Sequence, residues 1–435
     1  MKRLAVACAL LAAMVASVAV HAQIAVQNQG YIPYSDAPIF YRSTNISDPV
    51  TKLQQKLEAG KTKLVHDGSQ HGYLKSVLQL LDIPLSSQTL VFSKTSFQYP
   101  KISPAHPRAL YFNDDVYIGV VNDGKEIEVV SFDRQQGAIF FILHEQQVEA
   151  PRFERAELDC TQCHIAAGTR GVPGVLLRSV FPTRSGTLAP GSRSFITDQD
   201  SPFSERWGGW YVSGALAGGT LANAATPEGA TGRVPALEAL PTAYDTAAYL
   251  HPTSDAVALL VLAHQTQMHN LITLTNYRTR MAAATPGATP EKVRAELEKP
   301  AEQLLRYLVF ANEAPLPELE SKALIASSPY AREFAARGPR DSKGRSLRDF
   351  DLHTRTFRYP LSYLVYSEAF DALPEPAKGY VYDRLLQVLR GEDRSGDFDS
   401  LIPEDRRAIF EILLETKPNL PPAWQAHARE RPSHS

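Results

Sequence analysis

Residues 116–143 have the sequence VYIGVVNDGKEIEVVSFDRQQGAIFFIL, which contains three short apolar runs separated by two turn signals. The runs 116–121, 127–132 and 138–143 are rich in β-branched and aromatic residues, which favour strands. Residues 122–124 (Asn-Asp-Gly) and 133–137 favour tight turns. Because strands joined by short turns pair with each other, the segment predicts an antiparallel meander.

The sequence on either side extends the meander into a mixed pattern. Residues 90–92 and 109–112 predict two more strands, and apolar residues at helical spacing predict helices over 48–60 and 72–83. Helical patterns dominate the rest of the chain: 254–283, 290–312, 318–336, 361–372, 376–389 and 403–415. We therefore expect an α+β fold, in which a small α+β lobe over residues 23–150 precedes a mainly helical lobe over 151–435.

Two local features qualify this expectation. Pro300 lies inside the second of the C-terminal helical segments, where a proline removes a backbone donor, so we expect a break or a kink there. Residues 214–232 are rich in Ala, Gly and Thr and predict a mobile surface loop.

The first 22 residues have the pattern of a cleaved export signal. Lys2 and Arg3 precede an apolar run over residues 4–20, and the small residues up to Ala22 suit cleavage before Gln23. The run is near the lower length limit for crossing a bilayer and is rich in alanine, so a membrane anchor is the weaker interpretation. We expect a periplasmic or secreted protein with no integral membrane span after cleavage.

The charge of the chain argues against one class of partner. The formal charge is −2 for 435 residues, and loss of Lys2 and Arg3 with the signal would make it −4. Proteins that bind nucleic acids present a clustered basic face. We therefore expect no nucleic-acid partner.

Only two cysteines remain once the signal is removed, and both belong to the motif Cys160-Thr161-Gln162-Cys163-His164. This motif is the attachment signature of haem c. Two thiols one helical turn apart can form thioethers with the two vinyl groups on one porphyrin edge, and the adjacent His164 is then held against the iron as its proximal ligand. The sequence predicts one covalently bound haem per chain.

Three other interpretations of the two cysteines remain open. A thioredoxin-like redox pair would follow a buried strand, but residues 151–159 are mostly polar and charged. A structural zinc site would need further Cys or His ligands at short spacing, and no second Cys pair exists. A disulfide between residues this close would close only a tiny loop and stabilise little.

The motif and its surroundings resemble the c-type cytochromes. In that family a Gly-x-Pro element follows the motif, and its proline carbonyl accepts a hydrogen bond from the proximal histidine; Gly171-Val172-Pro173 stands in the matching place. The resemblance implies that Pro173 orients His164 and that the helical lobe is a cytochrome c-like haem lobe.

A wider resemblance is to large exported bacterial proteins known for their cytochrome c domain, carried by residues 112–117, 204–211, 264–270 and 340–363.

The distal side of the iron has two candidate ligands on one predicted helix. Haem iron takes Met or His there when its role is electron transfer. His264 and Met268 are four residues apart and share a helix face, whereas His269 lies on another. We expect His264 to be nearest the iron and Met268 to be the second candidate; the alternative for each is an ordinary core residue, and an open site also remains.

Four residues that follow the motif are candidate partners of the haem. Haem propionates are anions that accept hydrogen bonds from Arg and Trp, and aromatic rings cover porphyrin faces. These candidates are Arg178, Arg206, Trp207 and Trp210. Ordinary packing explains each of them about equally well.

These features favour a periplasmic monohaem c-type cytochrome that transfers single electrons to or from a redox partner protein or a small molecule. The alternative is a haem enzyme, peroxidase-like or oxygenase-like, with an open or displaceable distal site. In that case polar groups such as Gln265, His269 or Arg206 would act beside the iron. The length of the chain favours the alternative, because a simple carrier needs far fewer residues.

Overall fold

The computed structural model describes residues 33–183, 185–213, 244–317 and 321–430. The predicted signal over 1–22 and the predicted loop over 214–232 lie outside these residues. The described part combines one large antiparallel sheet with many helices. The expected α+β class is therefore confirmed.

The large sheet has the order β6-β5-β4-β3-β2-β1-β9, and every neighbouring pair is antiparallel. The predicted meander forms its middle, with Val130 of β4 opposite both Tyr117 and Phe140. Two strands come from beyond residue 150, so the sheet crosses the boundary expected between the lobes. The strands are β1 (Thr89–Val91), β2 (Arg108–Phe112), β3 (Val116–Val120), β4 (Glu126–Asp133), β5 (Gly137–His144), β6 (Glu154–Arg155) and β9 (Trp210–Tyr211).

A separate two-stranded sheet and a series of helices complete the described chain. The small sheet pairs β7 (Arg178–Val180) with β8 (Ser194–Ile196). Among the described residues, no helix is both long and apolar enough to cross a membrane. The helices are α1 (Pro49–Glu58), α2 (Leu74–Leu80), α3 (Glu157–His164), α4 (Ala256–Ala284), α5 (Pro290–Leu308), α6 (Ser321–Ser327), α7 (Pro329–Ala336), α8 (Glu368–Asp371), α9 (Glu375–Leu389), α10 (Pro403–Thr416) and α11 (Pro422–Glu430).

The two faces of the sheet bury different sets of side chains, because successive residues of a strand point in opposite directions. One face, which includes Ile118, Val129 and Ile139, packs with α1 and α2 in an N-terminal core. We call the other the helical face, because its residues, among them Tyr117 and Phe140, pack against the core that contains α4. The sheet thus separates two hydrophobic cores.

Helix α4 is the central element of the larger core. It begins after Asp255, whose carboxylate accepts hydrogen bonds from Val257 N and Ala258 N. Side chains all round the helix are buried through Thr273, as expected for a helix enclosed by neighbours. Because α4 contacts both the sheet and α5, it connects the sheet to the C-terminal helices.

Three predicted helical segments differ in detail. Helix α5 continues past Pro300, whose neighbours Leu297 and Ala301 are buried, so packing outweighs the missing backbone donor. The segment over 318–336 contains two helices, because Ser328 caps α7 and a proline follows it. The segment over 361–372 begins with a 3₁₀ turn at Tyr363–Tyr366 before α8.

Candidate functional site

The motif lies on a short helix that follows the last edge strand of the sheet. Helix α3 carries Cys160, Cys163 and His164, and it packs against β5. Glu157 and Asp159 lie in its first turn, where negative charge complements the helix dipole. Cys160 is half-buried and Cys163 is exposed, and neither thiol is in a disulfide. Cys163 is therefore accessible to solvent, whereas Cys160 packs partly against the larger core.

One nitrogen of the His164 ring is fixed by the main chain. Nδ1 donates a hydrogen bond to the carbonyl oxygen of Gly174 at 2.8 Å. Because a carbonyl can only accept, this contact places the proton on Nδ1 and leaves Nε2 with its lone pair. Burial lowers the pKa of His164, so the ring is neutral, which is the form that binds metals.

The carbonyl that orients His164 belongs to the residue after the expected one. The resemblance to cytochromes implies Pro173, but the Pro173 carbonyl faces Ala138 N at 3.3 Å. Gly174 also donates its own N–H to the His164 carbonyl at 3.0 Å. The two residues therefore form a reciprocal pair, and a side chain at position 174 would overlap Asn270.

Helix α4 holds the segment that follows the motif through two amide side chains. Asn270 accepts from Val175 N at 3.1 Å and donates to Val175 O at 2.8 Å. Gln267 donates to Gly168 O at 2.8 Å and accepts from Arg170 Nε at 3.1 Å. These bonds fix the backbone on both sides of Val172, and through Gly174 they also fix the acceptor of His164.

His264, the first candidate for the distal ligand, has a hydrogen-bond partner at each ring nitrogen. Its Nδ1 lies 2.5 Å from Gln199 Oε1, and its Nε2 lies 2.7 Å from Ser362 Oγ. The ring stacks on Phe310 at 4.5 Å between centroids, and burial lowers its pKa to about 3. With both nitrogens in hydrogen bonds, His264 has the contacts of a core histidine. Met268, the second candidate, is wholly buried in the larger core.

The polar residues beside them contact the loop between β2 and β3. Gln265 donates to Asn113 O at 2.7 Å and to the Tyr117 hydroxyl at 2.9 Å. His269 Nε2 donates to Asp114 O at 2.8 Å. Both side chains therefore point toward the sheet, on a different side of α4 from Gln267 and Asn270.

Two of the predicted propionate partners donate to the main chain instead. Arg206 is buried, and its Nε and Nη2 donate to Ser201 O at 2.9 Å and to Gln199 O at 2.8 Å. Trp210 Nε1 donates to Arg178 O at 2.9 Å. These contacts stabilise the segment between β7 and β9, as the packing interpretation expects.

The remaining two candidates have different surroundings. Arg178 donates from Nη2 to Ser194 Oγ at 3.1 Å across the small sheet. Trp207 is wholly buried with a backbone φ of 60°, and its Nε1 has no hydrogen-bond partner among the described residues. Of the four candidates, only Trp207 therefore has a buried donor still available.

The helical face of the sheet forms an apolar floor beside α3. Leu110, Val130 and Ile142 lie on this face and are half-buried, whereas their strand neighbours on the opposite face are buried. Phe140 lies in the same row as Val130, with its ring 5.0 Å from that of His164. The His164 ring therefore lies beside a buried aromatic side chain, on the same sheet face as the three half-buried apolar side chains.

An ion pair interrupts this floor. Arg108 Nη2 contacts Glu128 Oε2, and their side chains are 17% and 14% exposed. Glu128 also accepts from Ser96 Oγ at 2.6 Å and from Gln98 Nε2 at 3.0 Å. Burial raises the pKa of the Cys160 thiol to about 12, and the Glu128 carboxylate adds to the rise. The pair therefore acts electrostatically on the motif.

The sequence interpretation missed this pair and the two amides of α4. Glu128 is a charged residue within the predicted strand 127–132, which is a detectable signal, and Arg108 directly precedes the predicted strand 109–112. Gln267 and Asn270 had no such signal, because their role depends on how α4 packs.

Neither metal clusters nor known relatives identify the site further. Among the described residues, no group of three or more His, Cys, Asp or Glu side chains is placed to hold a metal ion. Comparison with protein-family models, curated proteins and solved structures finds no match to this chain.

Proposed function

We propose that this chain is an exported monohaem c-type cytochrome that transfers single electrons. The observation that carries the proposal is the Nδ1 hydrogen bond from His164 to Gly174, immediately after a Cys-x-x-Cys-His motif. This bond fixes the tautomer in which Nε2 is the metal-binding nitrogen. Metal-binding histidines usually donate a hydrogen bond from their other ring nitrogen in this way.

The residues that would hold the haem are Cys160, Cys163 and His164. Each thiol would add its sulfur and its hydrogen across one vinyl double bond, so that no group leaves and no oxidant is consumed. His164 would supply Nε2 to the iron. The bound haem would supply one-electron exchange between the ferric and ferrous states.

The surroundings of the motif suit such a group. The apolar floor of Leu110, Val130 and Ile142 offers a partly open hydrophobic surface on the sheet face that also carries Phe140, the neighbour of His164, and large flat cofactors are bound chiefly by such surfaces. The hydrogen bonds of Asn270 and Gln267 hold the proximal segment rigidly. A rigid proximal side favours electron transfer, because little rearrangement accompanies the change of charge.

The direct test is covalent attachment. The full chain would be produced in cells whose periplasm carries haem-maturation machinery, and the product examined by denaturing electrophoresis with staining for haem. The wild type and Gln162→Ala, a change within the motif that leaves its ligands intact, should retain haem. Cys160→Ser with Cys163→Ser should lose it. Zinc and no haem in the purified wild type would overturn the proposal.

A second candidate function is a haem enzyme with an open distal site. The observation that favours it is that both ring nitrogens of His264 already have partners, Gln199 and Ser362. Cyanide and peroxide titrations of the ferric protein separate the two functions. Slow, weak binding supports the carrier, whereas fast, tight cyanide binding with turnover of peroxide and an electron donor supports the enzyme.

The same protein can test the distal ligand. Because its nitrogens contact Gln199 and Ser362, His264→Gln should leave the oxidised absorption spectrum unchanged while lowering stability. A methionine-to-iron charge-transfer band that disappears in Met268→Leu would identify Met268 as the ligand. A change of spin state in His264→Gln alone would restore His264 as the ligand.

A further inference from the structure

We propose that the ion pair of Arg108 and Glu128 sets the reduction potential of the attached haem, with Arg108 raising it and Glu128 lowering it. This inference rests on the proposed function. It concerns two residues outside the motif, and it assigns a functional role to charges in the floor of the site.

The strand register places the pair in the floor. Gly119 of β3 lies directly opposite Leu110 on one side and Glu128 on the other, and all three residues are on the helical face. A Cβ at Gly119 would overlap the Arg108 guanidinium. The missing side chain in the central strand therefore provides the space in which Arg108 reaches Glu128.

The pair lies on the same face of the sheet as the side chains beside the motif. Glu128 is directly opposite Ile142 of β5, the strand against which α3 packs, and Phe140 of the same strand has its ring centroid 5.0 Å from that of His164. The other hydrogen-bond partners of Glu128 are uncharged, namely Ser96 and Gln98 in the segment between β1 and β2. The pair is therefore a local source of electric field beside the motif.

Stability alone does not explain such a pair. Arg108 Nε is buried and has no hydrogen-bond partner among the described residues, and an unsatisfied buried donor is destabilising. Apolar residues in place of a buried ion pair are often neutral or stabilising. A role in the chemistry of the site accounts for charges at a position where apolar side chains would pack more favourably.

The sign of each effect follows from Coulomb's law. The ferric state carries one more positive charge than the ferrous state, so a nearby positive group disfavours oxidation and raises the potential. A nearby negative group does the opposite. Both effects are strong where water is partly excluded, because the effective dielectric constant is low.

The test is potentiometric titration of the purified holoprotein in four forms: wild type, Arg108→Met, Glu128→Gln and the double variant. We expect a lower potential in Arg108→Met, a higher one in Glu128→Gln, and an intermediate value in the double variant. Arg108→Lys retains the charge and should remain near the wild type. If Arg108→Met does not accumulate in cells, the other two variants still test the sign of the effect. The potential of Glu128→Gln should rise, while that of Arg108→Lys should stay near the wild type.

The control is Arg384→Met, since Arg384 is similarly exposed and pairs with Glu302 and Asp393 in the C-terminal part of the chain. The inference would be overturned if Arg108→Met and Glu128→Gln shifted the reduction potential in the same direction, or if their shifts were no larger than that of Arg384→Met. Neither result would bear against the proposed cytochrome function. A wild type that carries no covalent haem would overturn the proposed function and this inference together.

Discussion

At the residue scale, Gly174 is the position that combines two requirements. Its carbonyl accepts from His164 Nδ1, and a Cβ there would overlap the Asn270 amide that binds Val175. Gly174→Ala should therefore destabilise the protein by about 1–3 kcal/mol, because overpacking displaces a bonded side chain. Urea unfolding measures the loss. Gly379→Ala, in open space on α9, is the control and should be neutral or stabilising.

Asp115 gives a prediction on pH. Burial raises its pKa to about 7, the Asp114 and Glu368 carboxylates add to the rise, and Lys52 and Arg348 oppose it. The unfolded chain releases this proton near pH 4, so the stability that the group contributes is lost as pH rises from about 4 to about 7.

Asp115→Asn removes that loss because it remains neutral. We expect it to be more stable than the wild type at pH 8 by about 2 kcal/mol, an advantage that shrinks toward pH 4. Urea unfolding at both pH values decides the point. An equal difference in the free energy of unfolding at the two pH values would mean that ionisation of Asp115 does not cause it.

Sequence alone predicted the chemistry of the candidate site but not the contacts that support it. Cys160, Cys163 and His164 were singled out because their spacing matches a local motif. Gly174, in contrast, replaces Pro173 as the acceptor because the turn geometry shifts the contact by one residue. The interactions of His264 depend on Gln199 and Ser362, which are far away in the chain, so no local pattern reveals them.

At the element scale, β3 contains a glycine where strand propensity favours a β-branched residue. Gly119→Val should nevertheless destabilise the sheet by about 1–3 kcal/mol, because the new side chain would overlap Arg108. Thermal or urea unfolding measures the effect. In the background of Arg108→Ala the same substitution should cost less; equal costs in both backgrounds would contradict the steric explanation.

The positions of the strands and helices were largely predictable from the sequence. Which side of each element faces the candidate site was not. The strands of the meander follow from runs of β-branched and aromatic residues and from turn chemistry, both of which are local. Helix α5 continues through Pro300, where a break or a kink was expected, because packing of α5 against α4 outweighs one lost hydrogen bond. Helix α4 is apolar through much of its surface. Its sequence therefore has no single apolar face that would show which side of the helix contacts the segment after the motif.

At the scale of the whole molecule, the proposed attachment of haem depends on export of the chain. Attachment of haem c takes place where maturation machinery resides, and residues 1–22 predict a cleaved signal. The functional protein should begin at or near Gln23 and be recovered from the periplasm. Intact-mass measurement tests this. A functional protein that retains Met1, or that stays in the membrane through residues 4–20, would contradict it.

The central claim is that a haem is bound through two thioether bonds. The spectrum of the reduced protein in alkaline pyridine tests it most directly, because the α band lies at shorter wavelength when both vinyl groups are saturated. In the wild type we expect the α band at the wavelength of a haem with both vinyl groups saturated. In Cys160→Ser we expect it at an intermediate wavelength. A band of unmodified, extractable haem, or no haem band at all, would contradict it.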